Sequence, residues 1–162
     1  MIRAHTLVGI ISDTHGLLRN EALVAFRDCH LIVHAGDIGT ADVLNGLCTI
    51  APVIAIRGNN DKGAWASPLA DTEVVETNGV SLYVLHNVND LALDPAGAGF
   101  RAVISGHSHR PRIEERRGVL FVNPGSAGPR RFLLPVAVAR LRVFRTKEIE
   151  AEVVELRSQS AS

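Results

Sequence analysis

Short β-branched apolar runs alternate with helix-like segments over the first third of the chain. The apolar runs cover residues 7–11, 31–33 and 53–56, and the segments at 20–27 and 40–47 carry apolar residues at helical spacing. Parallel strands need long crossover connections, and these are usually helices. The order therefore predicts three parallel strands with helices against the sheet. Asn20 and Thr40 are the expected N-caps of the two helices.

The rest of the chain changes to an antiparallel pattern. Asn78-Gly79 lies between the alternating segments Thr72–Thr77 and Val80–Leu85, and this dipeptide favours a two-residue hairpin turn because both positions accept a positive φ. Two further pairs of segments, Arg112–Arg116 with 119–122 and 136–144 with 149–156, have the same character. Between the hairpins, Asp94-Pro95 predicts the start of a short helix.

Early strand–helix–strand units followed by hairpins predict two mixed sheets packed face to face with helices outside. The 162 residues suit one domain, which we place at 1–156, with a frayed C-terminal tail at 157–162. Apolar residues make up 46% of the chain and charged residues 21%, and these fractions exclude a disordered or collagen-like chain.

Composition narrows the class of protein further. Cys29 and Cys48 form no CxxC pair, which argues against a disulfide framework or a thiolate metal site and favours a reducing, cytoplasmic location. No apolar run approaches the ~20 residues of a membrane helix, so we expect no membrane partner. Acidic and basic residues balance overall, but residues 100–162 are basic and residues 1–99 acidic, which leaves nucleic acid open as a partner without favouring it.

The polar residues of interest follow the predicted strands. In α/β sheets, ligand sites form beyond the carboxyl ends of strands, so such residues converge. Asp13-x-His15 and His107-x-His109 each place two side chains on one face if the chain stays extended there. Neighbouring glycines allow the backbone to turn away. The candidates are Asp13, His15, Asp37, Asn59, His86, His107 and His109.

This set of two carboxylates, one amide and four imidazoles is too large for one tetrahedral ion and suits two ions that share a carboxylate. Nitrogen and oxygen ligands without sulfur favour Mn, Fe, Co, Ni or Zn over Mg or Ca. Two divalent ions, offset by the two carboxylates and a bridging hydroxide, would retain positive charge, attract a phosphate ester and supply the nucleophile. Phosphoester hydrolysis is therefore the expected reaction.

The blocks around these residues resemble those of the calcineurin-like metallophosphoesterases, in particular the small phosphodiesterases of the YfcE type. They run in the family's order from Ile10 to Ser126. The resemblance implies a four-layer α/β/β/α sandwich and a small phosphoester as substrate. The blocks are Ser12-Asp13-Thr14-His15-Gly16, Gly36-Asp37, Gly58-Asn59-x-Asp61, Leu85-His86, Gly106-His107-Ser108-His109 and Asn123-Pro124-Gly125-Ser126.

The resemblance also implies a role for each candidate. Asp13, His15 and His109 are expected to bind the first ion, Asn59, His86 and His107 the second, and Asp37 both. We take Mn²⁺ as the expected ion, with Ni, Fe, Co or Zn as alternatives. A hydroxide that bridges the ions would attack phosphorus, so Asp37, Asn59, His86 and Asp61 are the catalytic candidates. Asp61 has two open interpretations, as a group in the chemistry or as a loop cap. The Asn123–Ser126 loop is expected to close the floor of the site.

The chain departs from its larger relatives at Asn60, where they have a histidine that binds a phosphate oxygen or protonates the leaving group. Such a proton donor is typically worth ~10²–10⁴ in rate. Its absence favours esters with good leaving groups, unless Asp61, a water or a group of the substrate donates the proton. We expect phosphodiesters to be preferred to monoesters. Asn87 stands where glycine is common, and we assign it no catalytic role. Arg57, Arg110, Arg130 and Arg131 are candidates for a phosphate clamp, although surface arginines are the more common case.

Two other functions stay open. A eukaryotic retromer subunit shares the implied fold and acts mainly through its surface, so a non-catalytic protein scaffold is one alternative. A nuclease is another, although no groove of interleaved aromatic and basic residues is legible in the sequence. Edge strands of small sandwiches often pair, so we expect a homodimer. The natural substrate is not predicted, because the surrounding pocket is built from loops.

Overall fold

Two five-stranded sheets pack face to face, as the apolar pattern predicts. The computed structural model describes residues 4–157, so the predicted tail lies outside the described part except for Arg157. The first sheet has the spatial order β10-β9-β1-β2-β3, in which β1, β2 and β3 are parallel and β9 and β10 antiparallel to their neighbours. Its strands are β1 (His5–Ile11), β2 (Leu31–His34), β3 (Val53–Ala55), β9 (Ala137–Phe144) and β10 (Ile149–Glu155).

The second sheet has the spatial order β4-β5-β6-β8-β7. Its three central strands are parallel, and antiparallel hairpins add β4 and β7 at the edges. The φ values of Asn78 (51°) and Gly79 (74°) confirm the predicted hairpin turn. The strands are β4 (Thr72–Thr77), β5 (Val80–Leu85), β6 (Phe100–Ile104), β7 (Arg112–Arg116) and β8 (Val119–Asn123).

The core lies between the two sheets and follows from the alternation of side chains along each strand. Val8 and Ile10 of β1 point inward and are fully buried against the second sheet, where Leu82 and Val84 of β5 face them. The intervening residues of β1 point outward toward the helices. Both sheets are therefore packed on this inner face. The carboxyl ends of their parallel strands lie at one rim.

Helices α1 (Asn20–Ala25) and α2 (Ala41–Cys48) cover the outer face of the first sheet. Thr40 is the N-cap of α2 as predicted, although its side chain makes no capping bond. The prediction of Asn20 as the N-cap of α1 is wrong by one residue, because the cap is Arg19. Arg19 stays extended outside the helix and its guanidinium donates a hydrogen bond to the Gly128 carbonyl oxygen at 3.1 Å.

The outer face of the second sheet has a thinner cover. A small cluster of Leu85, Val103 and Val119 packs there against Leu91, which directly follows a one-turn 3₁₀ helix at Val88–Asp90. The helix predicted at Asp94-Pro95 is absent. Its residues form turns, closed by the Ala98 N–H to Asp94 carbonyl and Phe100 N–H to Pro95 carbonyl hydrogen bonds, because the chain must enter β6 directly.

The two α-helices have six and eight residues. Within residues 4–157, no helix has the length and apolarity that crossing a membrane requires.

Candidate metal centre

Five of the seven candidate ligands converge at the rim where the strands end. The loops after β1 and β2 are held side by side, because the N–H groups of Asp13 and His15 each donate to a carbonyl oxygen at 3.0 Å, on Gly36 and Asp37 respectively. Two clusters of possible metal ligands result. One contains Asp13, His15 and His109, and the other contains Asp13, Asp37 and His86, with ligand atoms within 4.8 Å of one another.

Left-handed backbone turns bring these side chains together, and not the extended backbone on which the prediction depended. The extended premise for Asp13-x-His15 and His107-x-His109 is therefore wrong. Left-handed φ values cost a non-glycine residue roughly 1–2 kcal/mol and persist where surrounding bonds enforce them, often at functional sites. They occur at Asp13 (56°), His15 (46°), Asp37 (55°), His107 (70°) and His109 (63°).

Asp13 is the most deeply buried of the candidates, with no exposed surface. Its Oδ2 accepts hydrogen bonds from the Ser12 hydroxyl at 2.7 Å and from the His107 N–H at 3.0 Å. Its Oδ1 has no hydrogen-bond donor. The Nε2 atoms of His109, His86 and His15 lie 3.5, 3.9 and 4.0 Å from that oxygen. A buried carboxylate oxygen surrounded by imidazole nitrogens is the arrangement that a shared cation would stabilise.

Asp37 faces the same space from the second loop. Its Oδ2 lies 3.3 Å from His86 Nε2 and 3.9 Å from His15 Nε2. Burial by itself raises the pKa of Asp37, but the His86 imidazole and the Asn60 backbone N–H outweigh it and hold this pKa well below its ordinary value. Asp37 is therefore a carboxylate throughout the neutral range and lies between the two groups of histidines.

His86 is oriented by a backbone carbonyl. Its Nδ1 lies 2.7 Å from the Ala35 oxygen, which only accepts, so Nδ1–H donates and Nε2 points at the two carboxylates. Metal-binding histidines commonly have such a partner on the ring nitrogen away from the ion. Burial lowers the pKa of His86, but Asp37, the Ala35 carbonyl and Asp13 together raise it above its ordinary value.

His15 and His109 form the other side of the space, with their rings stacked at 5.5 Å between centroids. His15 Nε2 and His109 Nδ1 are buried atoms without a hydrogen-bond partner among the described residues. Burial is the largest cause that lowers the pKa of His109, and the charges of Arg131 and His15 lower it further against the opposing effect of Asp13. A neutral imidazole is the form that binds a metal ion.

His107 and Asn59 lie at the edge of this space. The His107 ring packs edge-on against the His86 ring at 5.2 Å, and its side chain is exposed. Asn59 is also exposed and lines the same groove as His86. His107 belongs to neither of the two clusters of histidine and carboxylate ligands. The assignment of His107 and Asn59 to the second ion stays a prediction.

The donor set and its spacing fit divalent metal ions. Nitrogen and oxygen ligands bind transition metals at about 2.0–2.2 Å, so two ligand atoms of one ion lie at most about 4.4 Å apart. The separations of 3.3–4.0 Å between carboxylate oxygens and Nε2 atoms meet this limit. Leaving buried polar atoms unpaired costs about 1–3 kcal/mol each, which a bound cation would recover.

Asp61 holds two loops of the site together. Its carboxylate accepts hydrogen bonds from the backbone N–H groups of Gly58 at 2.8 Å, Gly39 at 3.0 Å and Ile38 at 3.2 Å. The side chain is 3% exposed. These bonds link the loop that carries Asp37 to the loop that carries Asn59, which favours the loop-cap interpretation of Asp61. Its place among the catalytic candidates is a prediction.

Two further residues support the site, Asn60 in a way that the sequence does not predict and His34 as the packed strand histidine that the sequence favours. Asn60 donates to both oxygens of Asp37, through its backbone N–H at 3.0 Å and its side-chain amide at 3.2 Å. His34 is fully buried below the loops, where its Nδ1 accepts from the Gly36 N–H at 3.1 Å and its Nε2 lies 3.0 Å from the Thr14 hydroxyl. In the sequence, only position marks these two residues as neighbours of the site. Asn60 follows Asn59 directly, and His34 ends an apolar run three residues before Asp37.

Close packing of neighbouring atoms explains two of the glycines. A Cβ atom on Gly58 would collide with the backbone nitrogen of Asp37, and one on Gly106 would collide with the Ser12 hydroxyl. Neither glycine has a positive φ. These two glycines are therefore needed because they are small, and not for the sharp turns that were predicted at them.

The Asn123–Ser126 loop closes the floor of the site. The Asn123 amide donates to the Gly106 carbonyl at 2.9 Å, below the His107-x-His109 turn. The Ser126 hydroxyl donates to the Asp13 carbonyl at 3.0 Å. The loop thus connects the ligands that follow β6 to those that follow β1, as the sequence analysis expects.

Comparisons with known proteins agree with this geometry. A probable metallophosphoesterase of Methanothermobacter thermautotrophicus is 34% identical over 159 residues, which cover 91% of each chain. The structure of an archaeal phosphodiesterase matches with a TM-score of 0.76 at 26% identity, over 92% of this chain and all of that one. Vacuolar Protein Sorting 29 from Cryptosporidium parvum matches with a TM-score of 0.75 at 16% identity, over 95% of this chain and 99% of that one, a likeness of fold.

The family model of the calcineurin-like phosphoesterase superfamily domain matches residues 7–145. That span runs from within β1 to just past the end of β9 and contains every candidate ligand. The two sheets and the ligand clusters at their common rim are the arrangement that the sequence resemblance implies. The chain belongs to the calcineurin-like phosphoesterase superfamily.

Proposed function

We propose that this protein is a dinuclear metal-dependent phosphoesterase that prefers phosphodiesters to monoesters. The observation that carries the proposal is Asp13 Oδ1, a fully buried carboxylate oxygen with no donor and with three imidazole nitrogens 3.5–4.0 Å away. Burying an unpaired carboxylate oxygen is costly, and a protein that needed only the fold would gain nothing from it.

The seven predicted ligands would hold the ions at this rim. Asp13, His15 and His109 would hold one, His86, Asn59 and His107 the other, and Asp37 would contact both. Two divalent ions bound there would lower the pKa of a shared water and offset the charge that develops on the phosphate oxygens. Mn²⁺ is our expected ion, with Ni, Fe, Co or Zn as alternatives, because nitrogen and oxygen ligands suit this group of transition metals and do not select one of them.

The chain's own residues prepare this centre. Asn60 fixes the orientation of the Asp37 carboxylate through two hydrogen bonds. The Ala35 carbonyl fixes the His86 ring so that Nε2 faces the carboxylates. Asp37 is already ionised at neutral pH, because its pKa is held low by His86 and Asn60 against the effect of burial. The ligands are therefore largely in place and need little rearrangement.

The preference for diesters rests on Asn60. An amide side chain has no proton to give to a departing alkoxide, so the leaving group must depart as a stable anion or take a proton from water. Moreover, the Asn60 amide is engaged with Asp37, which leaves it poorly placed to bind a second anionic phosphate oxygen. A diester carries one negative charge fewer than a monoester dianion. It therefore depends less on a hydrogen-bond donor for a second anionic oxygen.

A scaffold for protein partners is the second candidate, since the fold of Vacuolar Protein Sorting 29 covers nearly the whole chain. The two functions predict different outcomes for the buried ligands. A scaffold would keep its stability and its partners when Asp37 is changed, whereas an enzyme would lose its reaction. A nuclease is a special case of the enzyme, distinguished by oligonucleotide substrates.

The test is a panel of bis(p-nitrophenyl) phosphate, p-nitrophenyl phosphate, cyclic nucleotides and an oligonucleotide, each with Mn²⁺, Ni²⁺, Fe²⁺, Co²⁺ or Zn²⁺. We expect the first substrate to be hydrolysed fastest, and Asp37→Ala to lower turnover by orders of magnitude. Asp42→Ala, an exposed aspartate on α2, is the matched control and should retain activity. Normal turnover by Asp37→Ala, or no hydrolysis by the parent protein with any ion, would refute the proposal.

A further inference from the structure

A groove of about 660 Å³ opens directly from the proposed second ion site. Asn59 and His86, two of the predicted ligands, line its inner end. Tyr83 and Leu85 form its floor, because alternate residues of β5 point to the outer face of the second sheet and the strand ends at Leu85, directly before His86. Leu93 adds apolar surface above that floor. The groove therefore joins an apolar surface to the reaction centre without a break.

The charged residues that line the groove restrict which groups of a substrate can bind there. Asp71 and Asp90 contribute two carboxylates and Arg57 one guanidinium. Arg57 is already paired, since its Nε and Nη2 donate to Asp71 Oδ1 at 3.1 and 3.0 Å. Asp90 lies on the 3₁₀ helix at the opposite wall. No spare cation remains among these lining residues, so a second phosphate or carboxylate group would be repelled.

A second groove, of about 510 Å³, lies on the other side of the 88–93 segment and has the opposite character. Val88 and Leu91 line it together with Arg110, Arg112 and Arg116. It contains none of the seven predicted ligands. The first groove is thus the one that a substrate at the ions would enter.

Building on the proposed phosphodiesterase function, we infer that the groove lined by Tyr83, Leu85 and Leu93 binds one organic arm of the diester, and that this arm is uncharged and apolar, such as an aryl group. The phosphorus would lie at the ions and carry the only negative charge near the groove. Substrates with a further phosphate or carboxylate on that arm would bind poorly.

The kinetic test changes Leu93, which is 36% exposed, so that the fold is not at risk. With bis(p-nitrophenyl) phosphate, we expect Leu93→Asp to raise KM about tenfold, the lower range for losing one apolar contact in a pocket, while kcat changes little. Leu93→Asn separates the loss of apolar surface from the added charge and should also raise KM. Val88→Asp, at 38% exposure on the same segment but in the second groove, should leave KM within twofold.

A binding test does not depend on turnover. Diphenyl phosphate, added to the protein loaded with diamagnetic Zn²⁺, should shift the backbone amide signals of Leu85 and Leu93 in NMR spectra and leave Val88 unchanged. Dimethyl phosphate has the same charge without the aryl arms and should shift neither. Unchanged KM in both Leu93 variants, or shifts confined to the side of Val88, would overturn the inference. Absence of all hydrolysis by the parent protein would instead refute the proposed function, and the NMR result would still decide what the groove binds.

Discussion

Asn60 binds both carboxylate oxygens of Asp37, one through its backbone N–H at 3.0 Å and the other through its side-chain amide at 3.2 Å. Asp37 is the residue expected to contact both ions, so the direction of its carboxylate decides whether the two sites share a ligand. The side chain that replaces the histidine of larger relatives therefore has a positioning task of its own. Partners that orient a metal ligand typically contribute 10–100-fold in affinity.

Asn60→Ala should lower Mn²⁺ affinity by roughly 10–100-fold while the protein remains folded, because the exposed amide contributes little to packing. Isothermal titration calorimetry measures the affinity, and circular dichroism checks the fold. Asn89→Ala removes an exposed asparagine away from the ligands and is the control. An Mn²⁺ affinity equal to that of the parent protein would show that the backbone N–H of residue 60 suffices to orient Asp37.

Asp61→Asn should lower the free energy of unfolding by about 1–3 kcal/mol, because an amide N–H₂ would face backbone N–H donors that now have a carboxylate acceptor. Urea unfolding with chelator present measures this effect without any contribution from bound ions. Asp42→Asn, on the exposed face of α2, should change stability much less. Unaltered stability combined with lost turnover would instead place Asp61 in the chemistry.

His34 makes the metal-free protein sensitive to acid. Burial is the main cause that lowers the pKa of His34 from its ordinary 6.5 to about 3, with His86 and His15 lowering it and Asp37 raising it. Below about pH 6.5 the unfolded chain binds a proton that the folded protein refuses until about pH 3, so stability falls as pH falls through this range.

His34→Gln removes the titrating group and keeps an acceptor for the Gly36 N–H. Its stability should therefore decline less steeply than that of the parent protein between pH 6.5 and pH 4, whatever its absolute stability. Urea unfolding with chelator at several pH values measures both slopes. Asn89→Gln, at an exposed position without a titrating side chain, is the control and should follow the parent curve. Parallel curves for His34→Gln and the parent would contradict this account.

Gly106→Ala should disturb the first ion site, because its Cβ would collide with the Ser12 hydroxyl that donates to Asp13. We expect weaker Mn²⁺ binding and lower stability together. Gly118→Ala lies in an open turn with a φ of 77° and should cost about 1 kcal/mol of stability through backbone strain while Mn²⁺ binding is kept. Calorimetry with Mn²⁺ separates the two variants, and equal affinities for both would show that Ser12 moves aside freely.

Most of the fold was predictable because short sequence patterns determine its strands and turns. Alternation of apolar residues predicted both faces of β5, and Asn78-Gly79 predicted the turn before it. Local signals failed where tertiary contacts decide. The N-cap of α1 moved to Arg19, which is held by Gly128 from the far end of the chain. The helix expected at Asp94-Pro95 became a series of turns before β6.

The candidate site was predictable in its membership and less so in its construction. Ligand residues at the ends of neighbouring strands must meet, so Asp13 and Asp37 were found by topology. Their left-handed φ values were not, since hydrogen bonds between distant loops impose them. The role of Asn60 depends in the same way on where Asp37 lies after folding. Strand order therefore predicted which candidate ligands lie together, and local patterns missed how Asn60 orients one of them.

The most direct test of the two-ion centre is an anomalous difference map from crystals of the protein grown with Mn²⁺. The account predicts two peaks, one beside Asp13, His15 and His109 and one beside His86, with Asp37 in contact with both. A single peak, or none at this rim while Mn²⁺ binds elsewhere, would contradict it.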